Sequence, residues 1–178
     1  MPRSRMFAVA LFLLIFVSGC AKPAPAATSG KLRVVSTVSP ITNIIQNVGG
    51  DRIDVTGIVP EGVNSHTFEP APSDARLLAQ ADIIFVNGLL LEEPTIKLAE
   101  ANKAEGVEIV SLGEQTVTPA EYVFDFSFPK EAGNPNPHLW MNPRYAARYA
   151  ELVAESLAVA DPANADFYRA NSAAFAER

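Results

Sequence analysis

Short apolar runs alternate with stretches of helical spacing through the middle of this chain, and the alternation restricts the fold more than any other feature. The runs that predict β-strands lie at residues 32–38, 53–59, 82–88 and 107–112. The stretches that predict helices lie at residues 39–50, 72–81 and 93–102. Most of the predicted strands are almost continuously apolar, which is typical of strands covered by helices on both faces. The order therefore predicts an α/β fold with a parallel four-stranded sheet flanked by helices.

Capping signals indicate where the predicted helices begin and end. In the first helix Ser39 is the expected N-cap and Pro40 takes the first helical position. Helical spacing returns over residues 144–160, and a further helix opens at Asp161 with no stop signal before Arg178. We therefore expect the chain to end inside a helix, as a truncated product would.

Residues 113–137 lack a helical period and contain glycine, proline and scattered aromatic residues. Within this segment "VFDFSF" (123–128) alternates, which predicts an edge strand or one arm of an extended hairpin. Its aromatic side chains are expected to pack against the domain, and stacking on a ligand is the alternative.

A basic segment and an uncharged apolar run open the chain, and "VSGC" ends that run at Cys20. This order is typical of a secretory signal peptide, here residues 1–19. The run is shorter than the ~20 residues that cross a bilayer, although an uncleaved anchor is the alternative. Cys20 is the single cysteine, and "VSGC" resembles the bacterial lipobox, in which the cysteine is lipidated. Residues 20–30 are rich in Ala, Pro, Ser and Gly, which predicts a flexible tether.

The charge of the chain limits its partners. The formal net charge is −6, and it becomes more negative when the signal peptide is removed with Arg3 and Arg5. Binding to phosphates requires clustered lysine and arginine, and the sequence has no basic stripe. Nucleic acid is therefore not expected as a partner.

Both histidines of the chain lie in loops that contain several prolines. "NSHTFEPAP" holds His66 and "PNPHLWMNP" holds His138. Proline restricts its own φ and the residue before it, so stiff loops are expected. His66 follows the predicted strand 53–59, and parallel sheets bind ligands beyond the carboxyl ends of their strands. Neutral imidazole suits Zn²⁺, Fe²⁺ and Mn²⁺, so the two histidines are candidate metal ligands, although a lone histidine is more often structural.

Three neighbours of the histidines are secondary candidates. Glu69 lies three residues after His66 and is a candidate support for the metal ligands, but a negative charge is also favoured at the start of the following helix. Asp74 is also expected to stabilise the start of the following helix. Trp140 is expected to pack behind His138 and to hold its loop.

Three motifs in order, "SHTFEPAPSD", "ADIIFVNG" and "NPHLWMNP", resemble the metal-binding subunits of bacterial ABC importers for manganese, zinc or iron, the cluster 9 or A-I binding proteins. The resemblance implies that His66 and His138 are metal ligands. It also implies that residues 31–160 form the amino-terminal lobe of a periplasmic-type binding protein with a helical backbone. Residues 161–178 would begin the long helix between the lobes, and the carboxyl-terminal lobe with its further ligands would be absent.

The function that the resemblance implies is extracytoplasmic capture of Zn²⁺ or Mn²⁺ and delivery to an ABC transporter permease. The protein would be held at the membrane through lipidated Cys20, on the periplasmic or extracellular face. Zinc-specialised members often carry a histidine-rich loop before the second motif. Residues 118–136 have no histidine there, which favours manganese or a non-specialised site.

Two other classes of function remain at this point. A zinc-dependent hydrolase needs three protein ligands and an open position, and the chain has no "HExxH", no third histidine and no evident general base. A surface lipoprotein acting in cell adhesion is compatible with the same export signal and does not contradict metal capture.

Overall fold

The computed structural model describes residues 30–178, and these residues contain one parallel sheet of four strands. The strand order is β2-β1-β3-β4, and every neighbouring pair is parallel. The strands are β1 (Leu32–Ser36), β2 (Ile53–Gly57), β3 (Ile83–Val86) and β4 (Ile109–Ser111). The predicted sheet is therefore confirmed, with each strand shorter than its apolar run.

Within residues 30–178, six α-helices surround this sheet. They are α1 (Ser39–Gly49), α2 (Pro72–Gln80), α3 (Glu93–Asn102), α4 (Leu112–Thr116), α5 (Pro143–Ala160) and α6 (Ala165–Ala176). The short helix α4 was not expected, since its five residues show no apolar period.

The core has two parts because successive side chains of a strand point to opposite faces of a sheet. Val34 and Phe85 are buried on the face shared with α1, α5 and α6. Val35 and Ile84 are buried on the other face, with Leu78 of α2. Both faces of the sheet are covered here, which explains why β3 is apolar along its whole length and why adjacent Val34 and Val35 of β1 are both buried.

Three local expectations were wrong. Ser39 is the first residue of α1 and makes no cap, since the N-cap position is held by Val38 without a side-chain hydrogen bond. The segment "VFDFSF" forms no strand. Asp125 Oδ1 accepts hydrogen bonds from the backbone N–H groups of Ser127 and Phe128, at 2.8 and 3.1 Å, and turns the chain instead. Phe126 is fully exposed rather than packed against the domain.

The last helix packs onto the first. A short 3₁₀ turn follows Asp161, and α6 begins at Ala165. The Asn171 side-chain amide donates to the carbonyl of Val48 at 2.9 Å. Whether residues 161–178 begin an interlobe helix stays a prediction.

The predictions for residues 1–19, for Cys20 and for most of the tether lie outside the described residues. Within residues 30–178, none of the helices has the length and hydropathy that crossing a membrane requires.

Candidate metal centre

The two histidines come from loops at the same edge of the sheet. His66 lies between β2 and α2, and His138 lies just before α5. The second loop is attached to the end of β3, since the Asn87 side-chain amide donates to the carbonyl of Pro137 at 3.0 Å. Residues 72 positions apart in sequence therefore meet beyond the carboxyl ends of the strands.

The two imidazoles face each other through their Nε2 atoms. The distance from His66 Nε2 to His138 Nε2 is 3.3 Å, and the ring centroids are 5.3 Å apart. Two nitrogens that each lie ~2.0–2.1 Å from one ion are roughly 3–3.5 Å apart for angles of about 90–110° at the ion. The arrangement is therefore the right size for two ligands of a single metal ion.

The same local turn presents each histidine. Asn64 Oδ1 accepts the backbone N–H of His66, and Asn136 Oδ1 accepts the backbone N–H of His138, both at 3.0 Å. An asparagine that bonds the backbone two residues ahead forms an Asx turn, which fixes the loop locally. The repeated pattern N-x-H was present in the sequence and was the signal that could have identified both asparagines.

The imidazole of His138 has a further polar support. Its Nδ1 lies 2.8 Å from Asn136 Oδ1, and Asn136 Nδ2 donates to Asp125 Oδ2 at 2.6 Å. The hydrogen bond from Asn136 is the main reason that the pKa of Asp125 is held below its ordinary range. Desolvation, and then the neighbouring His66, lower the pKa of His138, which favours the neutral ring that binds metals.

Aromatic rings flank the pair. Trp140 meets the His138 ring edge to face with 5.2 Å between centroids, so it packs against this histidine as expected. The Phe128 centroid lies 5.5 Å from that of His138 and 5.8 Å from that of His66. Phe128 was expected to pack against the domain, with stacking on a ligand as the alternative, and its ring lies beside both histidines.

A buried polar network holds the end of β3 beside the second loop. Besides its bond to Pro137, the Asn87 side chain accepts a hydrogen bond from Tyr149 Oη at 2.8 Å. The Glu92 carboxylate, 1% exposed, accepts the backbone N–H of Asn87 at 2.6 Å. Burial raises the pKa of both Glu92 and Tyr149, so the tyrosine keeps the proton that it donates.

Within residues 30–178, Glu69 and Asp74 form no hydrogen bond with the histidine pair. Glu69 is exposed and makes no hydrogen bond or ion pair within residues 30–178. Asp74 accepts the backbone N–H of Ala71 at 2.8 Å, which confirms its role at the start of α2. Across the described residues, no group of three or more His, Cys, Asp or Glu side chains is placed to hold an ion.

Known proteins are similar to this chain over most of its length. The family model for the periplasmic component A of the zinc-uptake complex matches residues 34–178. The metal ABC transporter substrate-binding lipoprotein FimA of Streptococcus parasanguinis is 37% identical over 177 residues, which cover 96% of this chain and 56% of that protein. The manganese ABC transporter substrate-binding lipoprotein PsaA of Streptococcus pneumoniae is 36% identical, with the same two coverages. The chain thus spans about half the length of these relatives.

Solved structures show the same likeness. The Mn-bound periplasmic metal binding protein of candidatus liberibacter asiaticus superposes with a TM-score of 0.69 at 32% identity, over 81% of this chain and 51% of that one. Its Cd-bound form superposes with a TM-score of 0.69 at 33% identity, with the same coverages.

Proposed function

The chain belongs to the family of the periplasmic component A of the zinc-uptake complex, and on that premise we propose that it captures a divalent transition-metal ion outside the cytoplasm for delivery to an ABC transporter permease. The observation that carries this proposal is the 3.3 Å separation of His66 Nε2 and His138 Nε2. Both nitrogens bind the same ion. The remaining coordination positions are filled by groups outside residues 30–178 or by water.

The ion is Zn²⁺ or Mn²⁺. Two imidazoles suit either metal, and the further ligands decide between them, since carboxylates favour Mn²⁺ and a third imidazole favours Zn²⁺. The relative from Streptococcus pneumoniae is named for manganese, whereas the family model is named for zinc. Two ligands make an incomplete site, so we expect weak binding by these residues alone.

The protein is held at the membrane through lipidated Cys20. This part of the proposal is supported by "VSGC" after an apolar run and by relatives that are named lipoproteins. Cys20→Ala in a bacterial host should abolish processing and move the protein out of the membrane fraction. An unchanged membrane fraction would contradict the anchor without affecting the metal site.

The function is binding rather than catalysis. The relatives are named substrate-binding proteins, and within residues 30–178 the two imidazoles form hydrogen bonds with each other and with Asn136 but with no carboxylate that could act as a general base. Hydrolysis of chromogenic esters or peptides that depends on Zn²⁺ and on His138 would contradict this assignment.

Metal-dependent thermal stabilisation tests the proposal. A ligand that binds only the folded state at ten times its dissociation constant stabilises it by about 1.4 kcal/mol. Zn²⁺ or Mn²⁺ should therefore raise the melting temperature of the chain, while Mg²⁺, which prefers oxygen ligands, should not. His66→Ala and His138→Ala should each remove the response. Glu69→Gln, an exposed carboxylate in the same loop as His66, is the matched control and should retain it.

A further inference from the structure

Donor and acceptor chemistry determines the orientation of Asn136. The Asp125 carboxylate only accepts hydrogen bonds, so the Asn136 atom that lies 2.6 Å from it is the amide nitrogen. The amide oxygen therefore faces His138, where it accepts the backbone N–H of that residue at 3.0 Å. Asp125 is itself fixed, because its other oxygen accepts two backbone N–H groups.

This orientation selects one tautomer of His138. Nδ1 of the ring lies 2.8 Å from the same amide oxygen, and an oxygen that only accepts requires a proton on Nδ1. In neutral imidazole the other nitrogen, Nε2, then carries the free lone pair. That nitrogen faces His66 and is the one available to a metal ion.

His66 lacks an equivalent support. Asn64 accepts its backbone N–H, but within residues 30–178 no group forms a hydrogen bond with its Nδ1. Its Nε2 lies 3.3 Å from His138 Nε2, which has only a lone pair to offer. A hydrogen bond between these nitrogens therefore requires the proton on His66 Nε2.

We propose that Asp125, acting through Asn136, fixes His138 in the tautomer whose Nε2 faces the metal, and that His66 is the ligand that changes tautomer on binding. On metal entry, His66 Nε2 gives its proton to water, Nδ1 takes one from water, and the lone pair freed on Nε2 binds the ion. Asp125 and Asn136 are thus positioning residues. This inference rests on the proposed function, since it concerns the same two nitrogens.

Nuclear magnetic resonance of the full chain labelled with ¹⁵N on histidine reads both tautomers directly, because the sequence contains only two histidines. The sample is kept at about pH 8, above the ordinary histidine pKa of about 6.5. Without metal, His138 should carry its proton on Nδ1 and His66 on Nε2. Zn²⁺, which is diamagnetic, should leave the proton of His138 on Nδ1 and move that of His66 to Nδ1.

Variants test the role of the two positioning residues. Asn136→Ala should abolish the tautomer preference of His138 and weaken Zn²⁺ binding about 10–100-fold, as loss of an outer-shell partner does. Asp125→Asn should act in the same direction. If its oxygen keeps the two backbone N–H groups, its amide nitrogen faces the amide nitrogen of Asn136, and two donors cannot form a hydrogen bond. Asn64→Ala is the matched control, since it removes the same backbone turn from the other histidine and should leave the His138 tautomer unchanged.

The double variant Asp125→Asn/Asn136→Asp exchanges donor and acceptor. The amide introduced at position 125 keeps an oxygen for the two backbone N–H groups and turns its nitrogen towards position 136. The carboxylate introduced at position 136 still accepts from both N–H groups of His138. The His138 tautomer and the Zn²⁺ affinity should therefore recover, which a purely steric role for these residues does not predict.

Two results would overturn the inference. One is a proton on Nε2 of His138 in the metal-free chain. The other is an Asn136→Ala variant with an unchanged His138 tautomer and unchanged affinity. Failure of the proposed function is a separate result, because the tautomers are measured before zinc is added. In that case Zn²⁺ would leave the ring ¹⁵N resonances of both histidines unchanged.

Discussion

The Tyr149 hydroxyl donates a hydrogen bond to Asn87 Oδ1 at 2.8 Å, and both side chains are buried completely. Through this bond, helix α5 orients the amide that donates to the carbonyl of Pro137. The residue immediately before His138 is therefore attached both to the end of β3 and, through Asn87, to α5. The position of one metal-ligand candidate thus depends on a bond formed in the core.

Removing the Tyr149 hydroxyl should destabilise the fold. Tyr149→Phe leaves the oxygen of Asn87 buried without its donor, which typically costs about 1–3 kcal/mol. Urea denaturation measures the change in the free energy of unfolding. Tyr145→Phe is the control on the same helix, since its hydroxyl makes no hydrogen bond within residues 30–178. If both variants lose the same free energy of unfolding, the hydrogen bond of Tyr149 makes no net contribution to stability.

The buried carboxylate of Glu92 should make stability depend on pH. Burial raises its folded-state pKa above the ordinary value of 4.5, so the folded state binds the proton more tightly than the unfolded state. The contribution to stability is complete below pH 4.5 and is lost as the pH rises through the raised pKa. Relative to Glu92→Gln, the free energy of unfolding of the natural chain should therefore fall from pH 4.5 upward.

The same urea series on Glu93→Gln provides the control for this pH effect. Glu93 is partly exposed and pairs with Lys97 on the surface of α3. The difference in free energy of unfolding between Glu93→Gln and the natural chain should change little over the same pH range. If the difference in free energy of unfolding between the natural chain and Glu92→Gln does not change with pH over this range, the raised pKa of Glu92 is contradicted.

Neighbouring leucines of α2 should differ sharply in their contribution to stability. Leu78 is 0% exposed and packs between α2 and the sheet, whereas Leu77 is 36% exposed. Leu78→Ala should cost about 2–5 kcal/mol because it removes buried apolar contacts and leaves a cavity. Leu77→Ala should cost roughly 0.5 kcal/mol or less. Equal costs in urea denaturation would mean that α2 does not cover this face of the sheet as described.

Most of the sheet and its main helices were predictable from the sequence because their signals are local. Apolar runs with both faces covered identify β1 and β3, and helical spacing identifies α5. The sequence also identified His66 and His138 as candidate metal ligands, and the 3.3 Å separation of their Nε2 atoms fits two ligands of one ion. That these residues bind metal stays a proposal.

The polar supports of the pair could not be found in the same way. Asp125 reaches Asn136 across eleven positions of irregular chain, and no period indicates such a contact. The alternation of "VFDFSF" is typical of a strand, but the Asp125 carboxylate offers the backbone N–H groups of Ser127 and Phe128 a competing partner. A side chain that redirects the backbone in this way is identified only when its partners are located.

X-ray absorption at the zinc edge tests the central claim most directly, because it counts the imidazole nitrogens bound to the ion. With Zn²⁺ bound, the chain should show one ion with two imidazole nitrogens at ~2.0–2.1 Å. His66→Ala or His138→Ala should reduce that count to one or abolish binding. An ion coordinated by oxygen alone, or two ions per chain with one imidazole each, would contradict a site shared by His66 and His138.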